Sequence, residues 1–288
     1  MMTYLADYFY FNPTINLVLC AIFSLVVGSF LNVVIYRLPI MIDNVMKSQS
    51  LEYLCLAKEA GLRELNLSYP RSHCVSCLSK IPAWHNIPLL SYILLKGKCK
   101  KCGSSISITY PLVELLTMIL SLIAVQYFGY NRSLLYVLPF IWILICLSFI
   151  DFKKHILPDC LTISLLWLGL LANIDELFTS LPFAIYGAVT AYLSLWIFIK
   201  LFYLVTGKIG MGNGDFKLFA ALGAWFGWNS LVFILLISSI LGTIIGAIYL
   251  CMTKKERSTP IPFGPFLCIA GFSYLFLTEY ILWPLSAF

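Results

Sequence analysis

Long apolar runs constrain this chain more than any other feature. The sequence contains eight of them, most separated by turn residues or by charged segments, near 15–36, 110–129, 133–150, 158–173, 181–203, 215–228, 229–250 and 263–283. An α-helix needs about 20 apolar residues to cross the hydrocarbon core of a bilayer, and somewhat fewer at the short end. The pattern therefore predicts an all-α polytopic membrane protein with about eight transmembrane helices.

The composition argues against a soluble enzyme. Hydrophobic residues make up 61% of the 288 residues and charged residues only 11%, whereas a soluble domain carries about 25% charged residues. A chain of this size cannot hide so much apolar surface in one soluble core. The net charge of +6 is confined to loops, which indicates orientation in a lipid bilayer rather than binding to nucleic acid.

The basic residues predict the orientation of the spans. Only Arg132 would lie on one side, and fourteen lysines and arginines on the other: Arg37, Lys47, Lys96, Lys98, Lys100, Lys101, Lys153, Lys154, Lys200, Lys208, Lys217, Lys254, Lys255 and Arg257. Cytoplasmic loops carry such an excess. The long loop after the first span is therefore predicted to be cytoplasmic, with both termini outside.

Two CxxC pairs, separated by 21 residues, mark this long loop. Their cysteines are Cys74, Cys77, Cys99 and Cys102. The spacing is typical of a zinc-ribbon-like site, in which each pair offers two sulfurs to one tetrahedral ion. A closed site of four thiolates has no open position for substrate, so its role would be structural. Redox dithiols and unligated cysteines are the alternatives, and His73 or His85 could replace one cysteine as a ligand.

Acidic residues inside spans are costly and usually mark function. Six lie in or at the edge of the predicted spans: Glu114, Asp151, Asp159, Asp175, Asp215 and Glu279. Asp175 and Glu279 fall near the outer face and are interpreted as solvated helix ends. Glu114 lies one turn inside the second span, where a helix start would explain it. The other three remain on the cytoplasmic side.

Asp151 closes the third span, and Asp215 opens the sixth after a loop with glycines at 210, 212 and 214. Such glycines permit a tight backbone and the close approach of a substrate chain. A helix cap is the simple alternative for Asp215, and pairing with Lys153 or Lys154 is the alternative for Asp151. Two acids at one depth on different helices fit these alternatives less well than they fit a joint role.

That joint role is the chemistry of an aspartyl peptidase. One carboxylate takes a proton from water while the other, protonated, polarises the peptide carbonyl, because close like charges cannot both ionise. The helix dipole favours the anion at Asp215, at a helix start, and disfavours it at Asp151, at a helix end. We therefore expect Asp215 to be the resting base and Asp151 the resting acid.

With these residues in view, the sequence resembles the bacterial type IV prepilin peptidases along almost its whole length. The matching segments, in order, are Gly28 to Val34 with Arg37-Leu38-Pro39, the double CxxC loop, Asn86-Ile87-Pro88, Tyr110 to Glu114, Asp151 with Leu157-Pro158-Asp159, the GxGD motif at Gly212 to Asp215 with Lys217, and Pro260 to Pro265. A four-letter GxGD motif recurs by chance, but this ordered set is specific.

The resemblance implies an enzyme of the bacterial inner membrane with two activities, whose catalytic pair is Asp151 and Asp215. Such enzymes cleave the short basic leader of prepilins and pseudopilins at the cytoplasmic face, after a glycine and before a residue that is often phenylalanine. They then methylate the new N-terminus with S-adenosylmethionine. The substrates enter type IV pili or type II secretion machinery, and both termini of the enzyme would be periplasmic.

Three supporting residues accompany the pair. Gly212 and Gly214 would shape the loop. Lys217 would pair with the acidic residue that such substrates carry just beyond the cut, or would simply anchor a helix end at the membrane surface. The predicted domains are a first transmembrane helix at 1–36, a cytoplasmic loop domain at 37–109 and a seven-helix catalytic membrane domain at 110–288.

Two rival functions stay open on the residues alone. A proton-coupled transporter also uses intramembrane acids, but it predicts acids nearer the midplane and broken helices in paired halves. A non-enzymatic assembly scaffold with a zinc module predicts that Asp151→Asn and Asp215→Asn leave function in the cell intact. No glycine fingerprint locates the methyl-donor site, to which Gly28 and the cytoplasmic loop are candidate contributors. The oligomeric state is not readable.

Overall fold

The computed structural model describes residues 13–54, 65–82, 87–208, 210–253 and 261–282. Within these ranges the regular structure is helical, with two isolated β-bridges and no strand. The helices are α1 (Pro13–Tyr53), α2 (Leu90–Leu94), α3 (Thr109–Phe128), α4 (Arg132–Lys154), α5 (Asp159–Ala172), α6 (Leu181–Thr206), α7 (Asn213–Phe226), α8 (Ser230–Thr253) and α9 (Gly264–Leu282), with a 3₁₀ turn at Asn173–Asp175.

The all-α prediction is confirmed, and each predicted span corresponds to one helix. Five of the described helices, α1, α3, α4, α6 and α8, are long and apolar enough to cross a membrane. Helices α5 and α7 have 14 residues each, a length of about 21 Å. That length is shorter than the hydrocarbon core of roughly 30 Å.

The first helix is longer than its apolar run predicts. It continues to Tyr53 with Pro39 inside it, whereas the run ends at residue 36. The residues after Pro39 include several strong helix formers, among them methionine, lysine, glutamine, leucine and glutamate, and they contain no glycine or further proline, so the helix continues although the sequence has become more polar. The hydropathy of the sequence marks where the apolar part of the helix ends, but the helix continues beyond that point.

The described residues form two compact units, which meet in the sequence at the Tyr130–Asn131 bond. In the first unit α3 packs along α1. Gly28 permits this contact, because a Cβ atom there would lie 2.8 Å from the Cα atom of Glu114. The division into three domains that the sequence suggests stays a prediction.

In the second unit the short helix α7 lies at the centre, packed by α5, α6 and α9. Its side chains are buried almost all round, as expected for a helix that is apolar on every face. Gly223 of α7 and Gly187 of α6 bring the two backbones into direct contact. The Trp225 indole donates a hydrogen bond to the Leu165 carbonyl at 2.8 Å. These contacts hold the C-terminal half of α7, and Asp215 lies in the first turn of the same helix.

Several residues used in the sequence analysis lie outside the described ranges: His85, Asn86, Lys254, Lys255, Arg257 and Pro260. The orientation that the loop charges predict therefore stays a prediction.

Candidate functional site

Asp151 lies in the last turn of α4 and is 5% exposed. The helix ends at Lys154. The next residue, His155, has a left-handed backbone, and its N–H donates a hydrogen bond to the Asp151 carbonyl at 2.8 Å. The Asp151 side chain accepts a hydrogen bond at Oδ2 from the backbone N–H of Gly264, at 3.0 Å. Gly264 is the first residue of α9, so the positive end of that helix points at the Asp151 carboxylate.

Asp215 lies in the first turn of α7 and is 8% exposed. Its Oδ2 atom lies near Gly212, the residue that precedes the helix. Its Oδ1 atom is buried and has no hydrogen-bond partner among the described residues. A buried carboxylate oxygen without a partner is costly, so this atom marks a place for a proton or a water molecule.

Leu157 connects the surroundings of the two acids. A Cβ atom on Gly214 would lie 2.7 Å from the Leu157 Cβ atom, and one on Gly264 would lie 3.1 Å from Leu157 Cδ2. The loop that carries Asp215 and the helix start that binds Asp151 therefore pack on the same leucine. The two carboxyl groups are close enough to interact electrostatically. The structure thus brings the two predicted acids together.

The glycines of the loop differ in importance. Gly214 has no room for a side chain, because Leu157 fills the space. Gly212 has ordinary extended backbone angles, and a Cβ atom there would meet only the Asp215 carboxylate, at 3.6 Å. Of these two residues, therefore, only Gly214 must be glycine for steric reasons. The sequence pattern alone does not distinguish it from Gly212.

Lys217 has a partner that the sequence analysis missed. Its Nζ atom lies 2.7 Å from both carboxylate oxygens of Asp159. The pair joins the first turn of α7 to the first turn of α5 and is partly exposed. Both residues belong to the motifs noted above and lie on the predicted cytoplasmic side, which is the signal that would have suggested the pairing.

The four cysteines of the loop come together in the first unit. Their sulfur atoms all lie within 4.8 Å of one another, and the Cys74 and Cys102 sulfurs are 3.8 Å apart. Tetrahedral zinc with bonds of about 2.3 Å places its sulfur ligands about 3.8 Å apart. The cluster can hold a metal ion, and its donor set and spacing fit zinc. His73 is not a member, since its Nδ1 atom lies 3.0 Å from the Arg71 carbonyl.

Both CxxC segments have the same backbone geometry. In each, the N–H of the first cysteine donates to the carbonyl five residues later, and its carbonyl accepts from the N–H four residues later. The residue after the second cysteine is left-handed in both, with φ of 56° at Leu78 and 71° at Gly103. The Cys77 backbone N–H and then the Ser104 hydroxyl lower the pKa of the Cys74 thiol to about 5. A lowered pKa favours the thiolate, which is the form of cysteine that binds metal.

A cavity of about 1,530 Å³ lies in the same unit. Glu114 lines it and is 8% exposed. Its Oε2 atom accepts a hydrogen bond from the Leu89 N–H at 2.8 Å, and the Ser29 side chain also bonds to the carboxyl group. The sequence analysis assigned Glu114 to a helix start, which is wrong, because the carboxyl group contacts a different segment and a cavity. Hydropathy carries no signal for such a cavity.

Arg37 lies in the wall of this cavity and is 7% exposed. Its guanidinium donates to the carbonyls of Asn66, Leu67 and Pro70, at 2.8, 3.3 and 2.6 Å. The sequence analysis used Arg37 as a loop charge and as part of a matching segment, and it assigned no contact to its side chain. In the structure it fastens the loop segment before the first CxxC pair to α1.

Comparisons with known proteins indicate one family along most of the chain. Residues 22–128 match the bacterial peptidase A24 N-terminal domain, and residues 138–247 match the type IV leader peptidase family. A protein of Legionella pneumophila named prepilin leader peptidase/N-methyltransferase is 52% identical over 94% of both chains. A protein of the same name from Stutzerimonas stutzeri is 50% identical over 90% of both chains. Another, from Pseudomonas aeruginosa, is 49% identical over 93% of this chain and 92% of the relative. No solved structure matches the chain.

Proposed function

We propose that this chain, which belongs to the type IV leader peptidase family, is an intramembrane aspartyl endopeptidase with Asp151 and Asp215 as its catalytic pair. Its proposed substrates are prepilins and pseudopilins, from which it removes the basic leader at the cytoplasmic face of the inner membrane. The proposal includes N-methylation of the new N-terminus, the second activity in the name that the relatives carry.

One observation carries the peptidase proposal. Two buried carboxyl groups on different helices stand beside glycines that pack on the same side chain, Leu157, and one oxygen of Asp215 has no hydrogen-bond partner among the described residues. A water molecule shared by the two groups would satisfy that oxygen. It would also stand where a peptide carbonyl can be attacked, which is the arrangement that hydrolysis by paired carboxyl groups requires.

The contacts support a division of roles opposite to the one that the helix dipoles suggest. A hydrogen bond to a charged group contributes about 1.5–3 kcal/mol, more than the roughly 0.3–1 kcal/mol of a helix dipole. Asp151 has such a bond from Gly264, and Asp215 has a buried oxygen without one among the described residues. Asp151 is therefore the proposed resting base, and Asp215 holds the shared proton.

The reaction then follows from these positions. The Asp151 carboxylate takes one proton from water, and the resulting hydroxide forms a bond to the scissile carbonyl carbon. Asp215 gives its proton to the carbonyl oxygen, so that no full negative charge develops there. When the C–N bond breaks, the leaving nitrogen takes the proton that Asp151 received. One hydroxyl of the tetrahedral carbon returns its proton to Asp215 as the C=O bond re-forms, and the leader departs with a free carboxyl terminus.

The depth of the pair suits a substrate with a basic leader and a long apolar helix. Asp151 is three residues from the end of α4, and Lys153 and Lys154 are the last two residues of that helix. Asp215 begins a short helix rather than lying in the middle of a long one. A scissile bond between a cytoplasmic leader and a helix in the bilayer would lie at such a depth, with both termini of the enzyme in the periplasm.

Two small partners belong to the proposal. Zinc would be held by Cys74, Cys77, Cys99 and Cys102, and it would fix the fold of the cytoplasmic loop without taking part in a reaction. S-adenosylmethionine would supply the methyl group, in keeping with the name of the relatives.

The test uses the purified protein in detergent with a prepilin, and mass spectrometry to follow release of the leader. We expect cleavage by the wild type and a loss of at least about 1,000-fold in both Asp151→Asn and Asp215→Asn. Asp175→Asn is the matched control, because it makes the same change at an exposed acid. An intact leader with the wild type, or rapid cleavage by either catalytic variant, would reject the proposal.

A further inference from the structure

We propose that Leu157 is a specificity-determining residue of the peptidase site, and that its side chain occupies the space which a side chain on the substrate residue before the cleaved bond would need. The enzyme would then cut only after a residue without a side chain. The resemblance described above implies a glycine there, and Leu157 is the residue that would enforce it. The inference rests on the proposed function, because it concerns the same pair of acids.

Leu157 lies between the two segments that carry the acids. Its Cβ atom fills the space beside Gly214, the residue before Asp215, where an added Cβ atom would lie only 2.7 Å away. Its Cδ2 atom reaches the start of α9. A Cβ atom added to Gly264 would lie 3.1 Å from that methyl group and 2.6 Å from Asp151 Oδ2. The leucine therefore adjoins both the loop that carries Asp215 and the Asp151 carboxylate.

Part of the Leu157 side chain is exposed, although the two acids beside it are buried. The residue belongs to the short connection between α4 and α5. A leucine that served only to fill the space between helices would gain most by being buried completely, because each apolar group left exposed loses its share of the stabilisation. The exposed part is an apolar surface next to the acids, which a bound peptide can contact.

The chain holds Leu157 in place from both sides. Before it, the His155 N–H closes the end of α4 with a hydrogen bond of 2.8 Å to a carbonyl one turn earlier. After it, Pro158 has a φ angle of −60°, which its ring fixes. The next residue, Asp159, is bound to Lys217 of α7 at 2.7 Å. A wall that is fixed in this way can exclude a substrate side chain, whereas a mobile one would move aside.

The geometry of hydrolysis decides which substrate residue meets this wall. The attacked carbonyl carbon must come within about 3–3.5 Å of the water molecule that the two acids hold. The residue before the cut supplies that carbonyl, so its Cβ atom is only two bonds from the attacked carbon. The Cβ atom of the residue after the cut is three bonds away. The side chain before the cut therefore comes closest to the acids and to the leucine beside them.

Filling space is the simpler role for a leucine, and the two roles have different consequences. If Leu157 only fills space, its truncation slows the cleavage of all substrates alike. If it excludes a side chain, its truncation changes the relative rates on substrates that differ at one residue. This ratio does not depend on the fraction of enzyme that is correctly folded, so a destabilised variant still reports it.

The test measures kcat/KM of the purified enzyme in detergent, with prepilins that carry glycine, alanine or leucine before the cut. One methyl group in a closely packed site changes relative rates by roughly 10- to 200-fold. We expect the wild type to prefer glycine over alanine at least about tenfold, and Leu157→Ala to show a preference of less than about threefold. Leu157→Met keeps the volume and Ile163→Ala truncates an exposed side chain of α5, so both should keep the wild-type preference.

A second measurement does not need activity. It uses Asp215→Asn, which the proposed mechanism makes inactive, combined with Leu157→Cys, and a prepilin with a cysteine before the cut. Two cysteines whose Cβ atoms lie about 3.5–4.5 Å apart can form a disulfide when a mild oxidant is added. We expect the linked complex with the combined variant. Asp215→Asn alone, which retains the exposed Cys160, should give only background.

Equal rates on the glycine and alanine substrates by the wild type overturn the inference and leave the proposed function standing. The same holds if Leu157→Ala keeps the wild-type preference, or if the disulfide does not form. If Leu157→Ala cleaves none of the substrates, the disulfide alone decides. A wild type that cleaves no prepilin overturns the proposed function, and this inference with it.

Discussion

Replacing Gly264 by alanine tests the contact that sets the state of the proposed base. A Cβ atom at this position would lie 2.6 Å from Asp151 Oδ2 and 3.1 Å from Leu157 Cδ2. The carboxylate oxygen cannot stay where it is, because the first distance is well below van der Waals contact. The Gly264 N–H to Asp151 hydrogen bond of 3.0 Å must therefore lengthen or break.

The size of the effect follows from that hydrogen bond. A bond to a charged acceptor contributes about 1.5–3 kcal/mol, and each 1.4 kcal/mol is a factor of ten in rate. If the bond is needed in the transition state, Gly264→Ala should cleave prepilin roughly 10- to 150-fold more slowly. The loss should appear in kcat, since Gly264 contacts the proposed base and not the leader.

The assay is steady-state cleavage in detergent, with the thermal unfolding midpoint measured alongside it. Gly246→Ala is the matched control in the same unit, because the added Cβ atom meets only the flexible end of Ile261, at 3.1 Å. We expect that variant to retain wild-type kcat. The reasoning is refuted if Gly264→Ala is folded and cleaves at the wild-type rate.

Three further predictions concern residues around the two units. Lys217→Ala should slow cleavage less than about fivefold, because a partly exposed ion pair contributes about 0–1 kcal/mol. Adding Asp159→Asn should then cause no further loss, and additive losses in the double-mutant cycle would contradict the pairing. Cys77→Ser should lower zinc measured by atomic absorption from about one per chain to near zero, while Cys160→Ser, at an exposed cysteine outside the cluster, should keep it. A variant Cys77→Ser that keeps stoichiometric zinc would reject the four-sulfur site. Gly223→Ala should lower the unfolding midpoint by several degrees, because its Cβ atom would lie against the backbone of α6, and an unchanged midpoint would show that the helices are not in that contact.

The sequence predicts the helices well, because transfer from water to lipid is a property of local composition. It also singles out Asp151 and Asp215 as the proposed pair, since a carboxyl group in an apolar run needs a reason to be there. Hydropathy does not say what covers a helix. Helix α7 has the composition of a short span, yet protein rather than lipid surrounds it.

The remaining features of the sites depend on contacts between distant residues. Gly264 and Asp151 are 113 positions apart in the chain, and Lys217 and Asp159 are 58 apart. Neither local periodicity nor charge counting reveals such pairs. The helix dipole is therefore the best guide that the sequence offers to the roles of the two acids, and the Gly264 hydrogen bond, on which the proposed reversal of these roles rests, cannot be read from the sequence. Glu114 was missed for the same reason, because its partner Leu89 lies in a separate segment.

The most direct test of the account compares the leader cleavage rates of Asp151→Asn, Asp215→Asn and the variant that carries both changes. Two carboxyl groups that activate one water molecule act as a unit, so the account predicts that the double variant is no slower than the slower single variant. Losses that multiply, or one aspartate that can be replaced with little effect, would show that the two groups do not share one reaction.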